Sequence, residues 1–287
     1  MVTRFAPSPT GRLHLGHAAS AIRAHDLARA ADGRFLLRIE DIDGTRSRPE
    51  FVDAIAEDLA WLGLAWDGPV WRQLARLDAY AGTLAQLRGM GLLYPCFCTR
   101  AAIAREVAAS ASAPHAGDGE PLYPGTCRSL TLSDRAARIG EPHAWRLDMG
   151  AAIAASGPLA WHDAHVGWIA ADPASHGDVV LARKDAPASY HLAVTVDDAS
   201  QGVTDVVRGE DLFAATHVHR LLQALLGLPT PHYHHHPLLL GPDGRRLAKR
   251  NGAPTLAAMR AAGADGREIA DLLRQGNLPA GFGVRTD

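Results

Sequence analysis

The chain reads as an α/β fold built in two halves and interrupted by a loop-rich insertion. Three observations carry this. A strand-like "TRFAPS" and "RFLLRIED" enclose a helical "GHAASAIRAHDLARAA" that stops at Gly33, which makes a β-loop-α-β unit at the start. Apolar runs of the kind found in buried parallel strands return late in the chain. Between them, from Pro95, the pattern breaks into short elements around an Ala/Ser/Gly/Pro-rich centre at Ala108 to Pro121, as in an exposed excursion. The expected division is 1–80 for the first half, 81–184 for the insertion, 185–244 for the second half, and 245–287 for a basic loop and short helices.

The elements follow in order. After the first unit, 48–66 and 77–93 have the spacing of two amphipathic helices, each ended by glycine. Strands are expected at "HAWRLDM" and "GDVVLARKD", and the apolar runs "YHLAVTV" and "TDVVRG" are expected as buried strands of the second half. A helix "ATHVHRLLQALLGL" follows, then a strand in "HYHHHPLLL" and a Pro-Asp-Gly turn. Two short helices, "TLAAMRAAG" and "DGREIADLLRQG", complete the pattern.

Composition excludes several classes. With 287 residues, 47% hydrophobic and 21% charged, the chain can bury a large core and lacks the signature of disorder. A net charge of -2 announces no duplex-coating surface, so any nucleic-acid contact is local. The start has no apolar signal-peptide region and no stretch has the length of a membrane span, so a cytoplasmic protein with no membrane partner is expected. The three cysteines argue against a disulfide framework and for thiols or a metal. Of 29 basic residues only Lys184 and Lys249 are lysines, so Lys249 in "RRLAKRNGAP" stands out from an arginine background.

Four groups of residues carry chemistry. In "RFAPSPTGRLHLGHAASAI" a strand and a Pro/Gly-broken loop open a helix, which brings free N–H groups and a helix dipole to one point suited to phosphate. His14 and His17 share a face there, and Gly16 leaves room beside the backbone for an adenine or ribose. Arg4 and Arg208 are candidate partners for a carboxylate, and Glu40 for an ammonium, each at an expected strand end. Cys96, Cys98 and Cys127 offer three thiolates; a tetrahedral zinc needs a fourth ligand, for which Tyr123 and His115 are both placed, and three buried free thiols are the alternative. The run His232 to His236 has no neighbouring cysteine or carboxylate and is expected as a polar strand edge near the nucleotide rather than a metal site.

These residues resemble the class I aminoacyl-tRNA synthetases. The tetrapeptide His14-Leu15-Gly16-His17 is similar to that family's HIGH signature, and "RFAPSPTG" with "LLRIEDID" resembles its glutamyl branch. The resemblance implies a Rossmann-type catalytic domain that binds ATP, with Mg²⁺ on the pyrophosphate, and an inserted subdomain holding zinc. "RLAKR", Arg246 to Arg250, is similar to the KMSKS signature, with Lys249 meeting the ATP phosphates; Ala248 stands where that signature has serine. Residue by residue, the implied L-glutamate pocket is Arg4, Ser8, Glu40, Tyr190 and Arg208. The short relatives in this branch also imply Tyr123 as the fourth zinc ligand.

A glutamyl enzyme that charges a tRNA 3′ end carries a long helical region after its lysine loop, whereas 37 residues follow Arg250 here. Size and motifs together resemble the glutamyl-Q tRNA(Asp) synthetase family. That resemblance implies glutamate activation without tRNA and transfer to queuosine in the anticodon stem-loop of tRNA(Asp), by a chain expected to be monomeric. The alternatives are a truncated enzyme acting on a tRNA 3′ end, a small-molecule nucleotidyltransferase and a silent RNA-binding module.

Overall fold

The computed structural model describes residues 1–109, 122–241, 247, 254–278 and 283–284. Strand β1 (Val2–Phe5), helix α1 (Leu15–Ala30) and strand β2 (Arg34–Ile39) form the expected opening unit, with β1 and β2 parallel from Val2↔Arg34 to Phe5↔Leu37. Helix α2 (Pro49–Trp61) has proline in its first turn, where a missing N–H costs nothing. The short β3 (Trp71–Arg72) adds parallel to β2, and α3 (Leu77–Gly89) follows.

After α3 come β4 (Leu93–Cys96), α4 (Arg100–Ala109), α5 (Leu132–Arg138), β5 (Ala144–Leu147) and α6 (Met149–Ser156). Next come the hairpin strands β6 (Ala160–Asp163) and β7 (Gly167–Ala170), then β8 (Val180–Ala182). Strands β4, β5 and β8 make a separate antiparallel sheet. Helix α7 (Tyr190–Ser200), β9 (Asp205–Gly209), α8 (Ala215–Leu226) and β10 (His232–His236) build the second half. Strand β11 (Leu239–Leu240), helices α9 (Leu256–Ala261) and α10 (Gly266–Arg274), and β12 (Gly283–Val284) complete the described chain.

The second-half sheet runs β7-β6-β10-β9, and hairpin β6–β7, which lies within 81–184, joins it through the pairing of Asp163 with Tyr233. The two halves meet where β1 lies beside β9: the Thr204 N–H donates to the Val2 carbonyl at 2.9 Å, and the Val2 N–H to the Thr204 hydroxyl at 2.8 Å. Crossovers from β1 and β9 therefore leave in opposite directions, a switch point that opens a crevice at the carboxyl ends of these strands. One core packs α1, α2, α9 and α10 on one side; a second packs α3, α6, α7 and α8 on the other. Gly266 opens α10 so close to α2 that a Cβ would collide with the Trp61 carbonyl.

Two expectations are corrected. "YHLAVTV" is not a strand but the first turns of α7. Ser189 caps it, accepting the Leu192 N–H at 3.4 Å, and the neighbours Asp197 and Asp198 both turn toward buried Arg38, at 3.9 and 2.8 Å, as adjacent positions on a helix can and the alternating faces of a strand cannot. The histidine run is not an edge: β10 lies between β9 and β6, and His235 and His236 are buried. Among the described residues no helix is long and apolar enough to cross a membrane.

Candidate functional site

The turn from β1 into α1 places the two histidines together. His14 is the N-cap of α1: its Nδ1 accepts the Gly16 N–H at 3.1 Å, while His17 Nδ1 accepts the His14 N–H at 3.2 Å. An imidazole whose Nδ1 accepts carries its proton on Nε2, so both rings are set as Nε2 donors. Their centroids are 3.8 Å apart. Gly16 has a second reason to be glycine, since a Cβ there would sit 3.0 Å from the His14 ring and disturb the cap.

Leu247 is tied to β11, and the residues from Thr255 to this turn. Leu247 is buried, with its N–H donated to the Leu239 carbonyl at 3.1 Å, while Thr255 forms an antiparallel bridge with His14 and the Leu256 N–H donates to Leu13 at 2.9 Å. Lys249, Ala248 and His115 lie outside the described residues.

The arginines at the switch point have contrasting surroundings. Arg4, on β1, is buried and grips Asp198 with Nε at 2.9 Å and Nη2 at 3.3 Å. Arg38, fully buried on β2, binds the same carboxylate at 2.8 Å and the Gln201 amide oxygen at 2.7 Å. It lies 3.7 Å from Glu40 and 3.9 Å from Asp197. Burial pushes the Asp198 carboxyl up, but Arg4 and Arg38 bring it below the usual range. Asp197 is closed by Arg76 at 2.6 Å, the Tyr80 hydroxyl at 2.7 Å and Gln73 at 3.2 Å.

Arg208, on β9, is just as buried, yet every acceptor it meets among the described residues is neutral. Nε donates to His235 Nε2 at 3.1 Å, Nη1 to the Tyr190 hydroxyl at 3.2 Å and His219 Nδ1 at 3.3 Å, and Nη2 to the Thr216 hydroxyl at 2.6 Å. Burial and the charge of Arg208 hold His219 well below its ordinary value and His235 at about 4, so neither ring is protonated at neutral pH. A guanidinium has five N–H groups. Four acceptors leave one N–H and the whole positive charge for a ligand.

Glu40 follows β2, with its backbone N–H on the Pro7 carbonyl at 3.0 Å. Burial pushes its carboxyl up to about 7 against the pull of Arg38 and Arg4. Burial pushes the Tyr190 hydroxyl up, and the charges of Arg208, Glu40, Arg4 and Asp198 all reach it. The pair Arg208 and Glu40 has the chemistry to receive a carboxylate at the guanidinium and an ammonium at an ionised Glu40. Ser8 is exposed in the loop after β1. Sequence reasoning passed over Asp197, Asp198 and Arg38; two consecutive acids closing an apolar run were the available signal.

The insertion holds a compact cysteine group. Sulfurs of Cys96, Cys98 and Cys127 all lie within 4.8 Å of one another, with Cys98 and Cys127 3.5 Å apart. The Tyr123 hydroxyl sits 3.7 Å from Cys98 Sγ and accepts the Cys127 N–H at 2.7 Å. Tetrahedral zinc with sulfur ligands sets neighbouring sulfurs about 3.8 Å apart, so these four residues fit the ion. Among the described residues no other group of histidine, cysteine and carboxylate side chains has that compactness.

A family model described as tRNA synthetases class I (E and Q), catalytic domain, matches residues 1–274. A glutamyl-Q tRNA(Asp) synthetase of Rhodobacter capsulatus is 50% identical over 283 residues, 95% of this chain and 99% of its own. One from Symbiobacterium thermophilum is 48% identical over 91% of this chain and 81% of its own. The crystal structure of a glutamate tRNA ligase from Elizabethkingia meningosepticum, in complex with its amino acid, superposes with a TM-score of 0.79 at 27% identity; this chain spans 60% of that one. A methionyl-tRNA synthetase from Mycobacterium tuberculosis, at 13% identity and a TM-score of 0.55, shares the fold. With that family model matched over nearly the whole chain, and relatives this similar along 81% to 99% of their own length, the protein belongs to the glutamyl-Q tRNA(Asp) synthetase family of class I tRNA synthetases, a family of ligases.

Proposed function

We propose that the protein activates L-glutamate with ATP in the absence of tRNA and transfers the glutamyl group to queuosine at the wobble position of tRNA(Asp). The observation that carries this is Arg208, a buried cation whose described partners are all neutral, held by the Tyr190 hydroxyl, which also feels the charge of Glu40. Arg208 receives the side-chain carboxylate of the substrate and Glu40 its α-ammonium, with Arg4, Ser8 and Tyr190 completing the pocket. The substrate α-carboxylate is then left to react.

In the first step an α-carboxylate oxygen attacks the α-phosphorus of ATP, and the bond to pyrophosphate breaks with its electron pair going to pyrophosphate. His14 and His17, as Nε2 donors, and Lys249 stabilise charge on the transferring phosphates, and Gly16 lies against the nucleoside. Mg²⁺, brought in with ATP, would neutralise part of the charge on the phosphate oxygens. In the second step a queuosine hydroxyl oxygen attacks the mixed-anhydride carbonyl; AMP leaves, and its phosphate oxygen takes the hydroxyl proton. Cys96, Cys98, Tyr123 and Cys127 hold a structural Zn²⁺ that fixes the loop between β4 and β5. We assign 1–80 and 185–244 to the catalytic halves and 81–184 to the insertion, with Asp163 of the insertion reaching the catalytic sheet.

Transfer of labelled glutamate to tRNA from queuosine-making cells, compared with tRNA from cells unable to make it, tests the reading. Label in the first alone is expected. Equal label in both places the ester on a 3′ end and overturns the transfer step; no glutamate-dependent exchange of pyrophosphate into ATP overturns the activation step.

A further inference from the structure

We infer that Asp163 is a positioning residue for substrate recognition: acting through His235, it fixes how the Arg208 guanidinium is presented to the side-chain carboxylate of the amino acid. This rests on the assignment of Arg208 to that carboxylate. Asp163 closes β6, outside the two halves that supply the signatures, and its carboxylate is fully buried. Its Oδ2 accepts both the His235 backbone N–H at 3.1 Å and His235 Nδ1 at 2.8 Å. Its Oδ1 accepts the N–H groups of His165 and Val166 at 2.9 and 3.2 Å, which hold the carboxylate against rotation.

A carboxylate has no proton to give, so His235 must donate from Nδ1 and its proton is excluded from Nε2. The Nε2 lone pair then accepts the Arg208 Nε–H at 3.1 Å. The other tautomer would set an N–H against an N–H, and a protonated ring would set two cations together in a buried site. Burial keeps the ring neutral, with its charging displaced to about pH 4. Stacking at 5° on the Tyr233 ring, which is itself buried, fixes the plane of the imidazole. Arg208 is thereby turned by its Nε edge while Thr216 and Tyr190 hold its Nη groups. The arrangement places a negative charge one residue removed from the guanidinium, so Arg208 is oriented without being neutralised.

Asp163→Asn retains the shape but offers an amide that donates as readily as it accepts, so the tautomer of His235 is no longer dictated. In glutamate-dependent pyrophosphate exchange the variant is expected to raise KM for glutamate roughly ten- to a hundredfold, the scale of a mispaired hydrogen bond to a charged group. KM for ATP is expected to stay within about twofold, and kcat within a few-fold. His235→Gln, whose amide oxygen accepts from Arg208 in one orientation, supplies the second arm: Asp163→Asn in that background is expected to add almost nothing. An unchanged KM for glutamate in Asp163→Asn overturns the inference, as does an equal rise in KM for ATP or full additivity in the double variant. If instead the unmodified protein shows no glutamate-dependent exchange, the functional reading itself fails. Glutamate binding followed by calorimetry on the folded variants separates both cases from simple loss of structure.

Discussion

Two buried arginine sites lie side by side at the switch point, and they are wired in opposite ways. On β1 and β2, Arg4 and Arg38 converge on Asp198, with Glu40 and Asp197 close by, so positive and negative charges balance inside the protein. On β9, Arg208 meets two imidazoles, a phenol and a hydroxyl, and no carboxylate among the described residues. In the first, Asp198 satisfies the charge of Arg4 and Arg38 from within the protein, so that Arg4 would reach a pocket only as a paired cation; in the second, the charge of Arg208 is left without an internal counter-ion among the described residues. Burial alone does not distinguish these two kinds of cation, whereas the charge of their partners does.

The contrast breaks most severely at the closed site. Asp198→Asn strands Arg4 and Arg38, and a loss of about 3–5 kcal/mol is expected in urea unfolding at neutral pH. Because the Asp198 pKa is depressed in the fold, its contribution is present above the unfolded carboxylate pKa and is lost as pH falls through the native value. At the open site the same kind of change moves activity instead. Arg208→Gln is expected to lower kcat/KM for glutamate roughly a hundred- to a thousandfold while leaving Tm unchanged or higher, since it removes a buried charge with no internal counter-ion. A Tm loss as large as that of Asp198→Asn would erase the distinction.

Lys249 sharpens it from another side. Lys249→Ala is expected to remove about 2–4 kcal/mol of transition-state stabilisation, seen in kcat rather than in KM for glutamate, whereas Arg208 acts on both. The smallest effect belongs to Glu40. Its native carboxyl holds a proton up to about pH 7 that the unfolded chain has already released, so its contribution to stability falls as pH rises toward 7. Pairing with an ammonium needs the ionised form. Glutamate binding by calorimetry is therefore expected to be about tenfold weaker at pH 6 than at pH 8, with proton release on binding near pH 6.5. PH-independent affinity would remove Glu40 from the ammonium site.

Much of the fold was legible because its signals are local. The opening β-α-β unit, α2, α3, α8, β9 and the two late helices follow from apolar spacing with caps or glycine stops, and the structure places all of them where that spacing does. The error at 190–196 has a physical source: a short run of Val, Thr and Tyr reads as strand by propensity, and only the cap at Ser189 and the direction required of Asp197 and Asp198 make it a helix. The error at 232–236 is similar, since polar histidines suggest an edge unless a partner such as Asp163 is known to lie beside them.

By itself the sequence determined the family resemblance and the candidate residues that go with it, since a signature such as His14-Leu15-Gly16-His17 is contiguous and its capping geometry closes within four residues. Only the tertiary structure decided which arginine is neutralised and which is left charged. Arg4 and Asp198 stand 194 positions apart, and Asp163 and His235 72, so their pairing depends on which strands become neighbours in the sheet. Coulomb and hydrogen-bond energies act over a few ångströms of space, and separation along the chain does not report that distance.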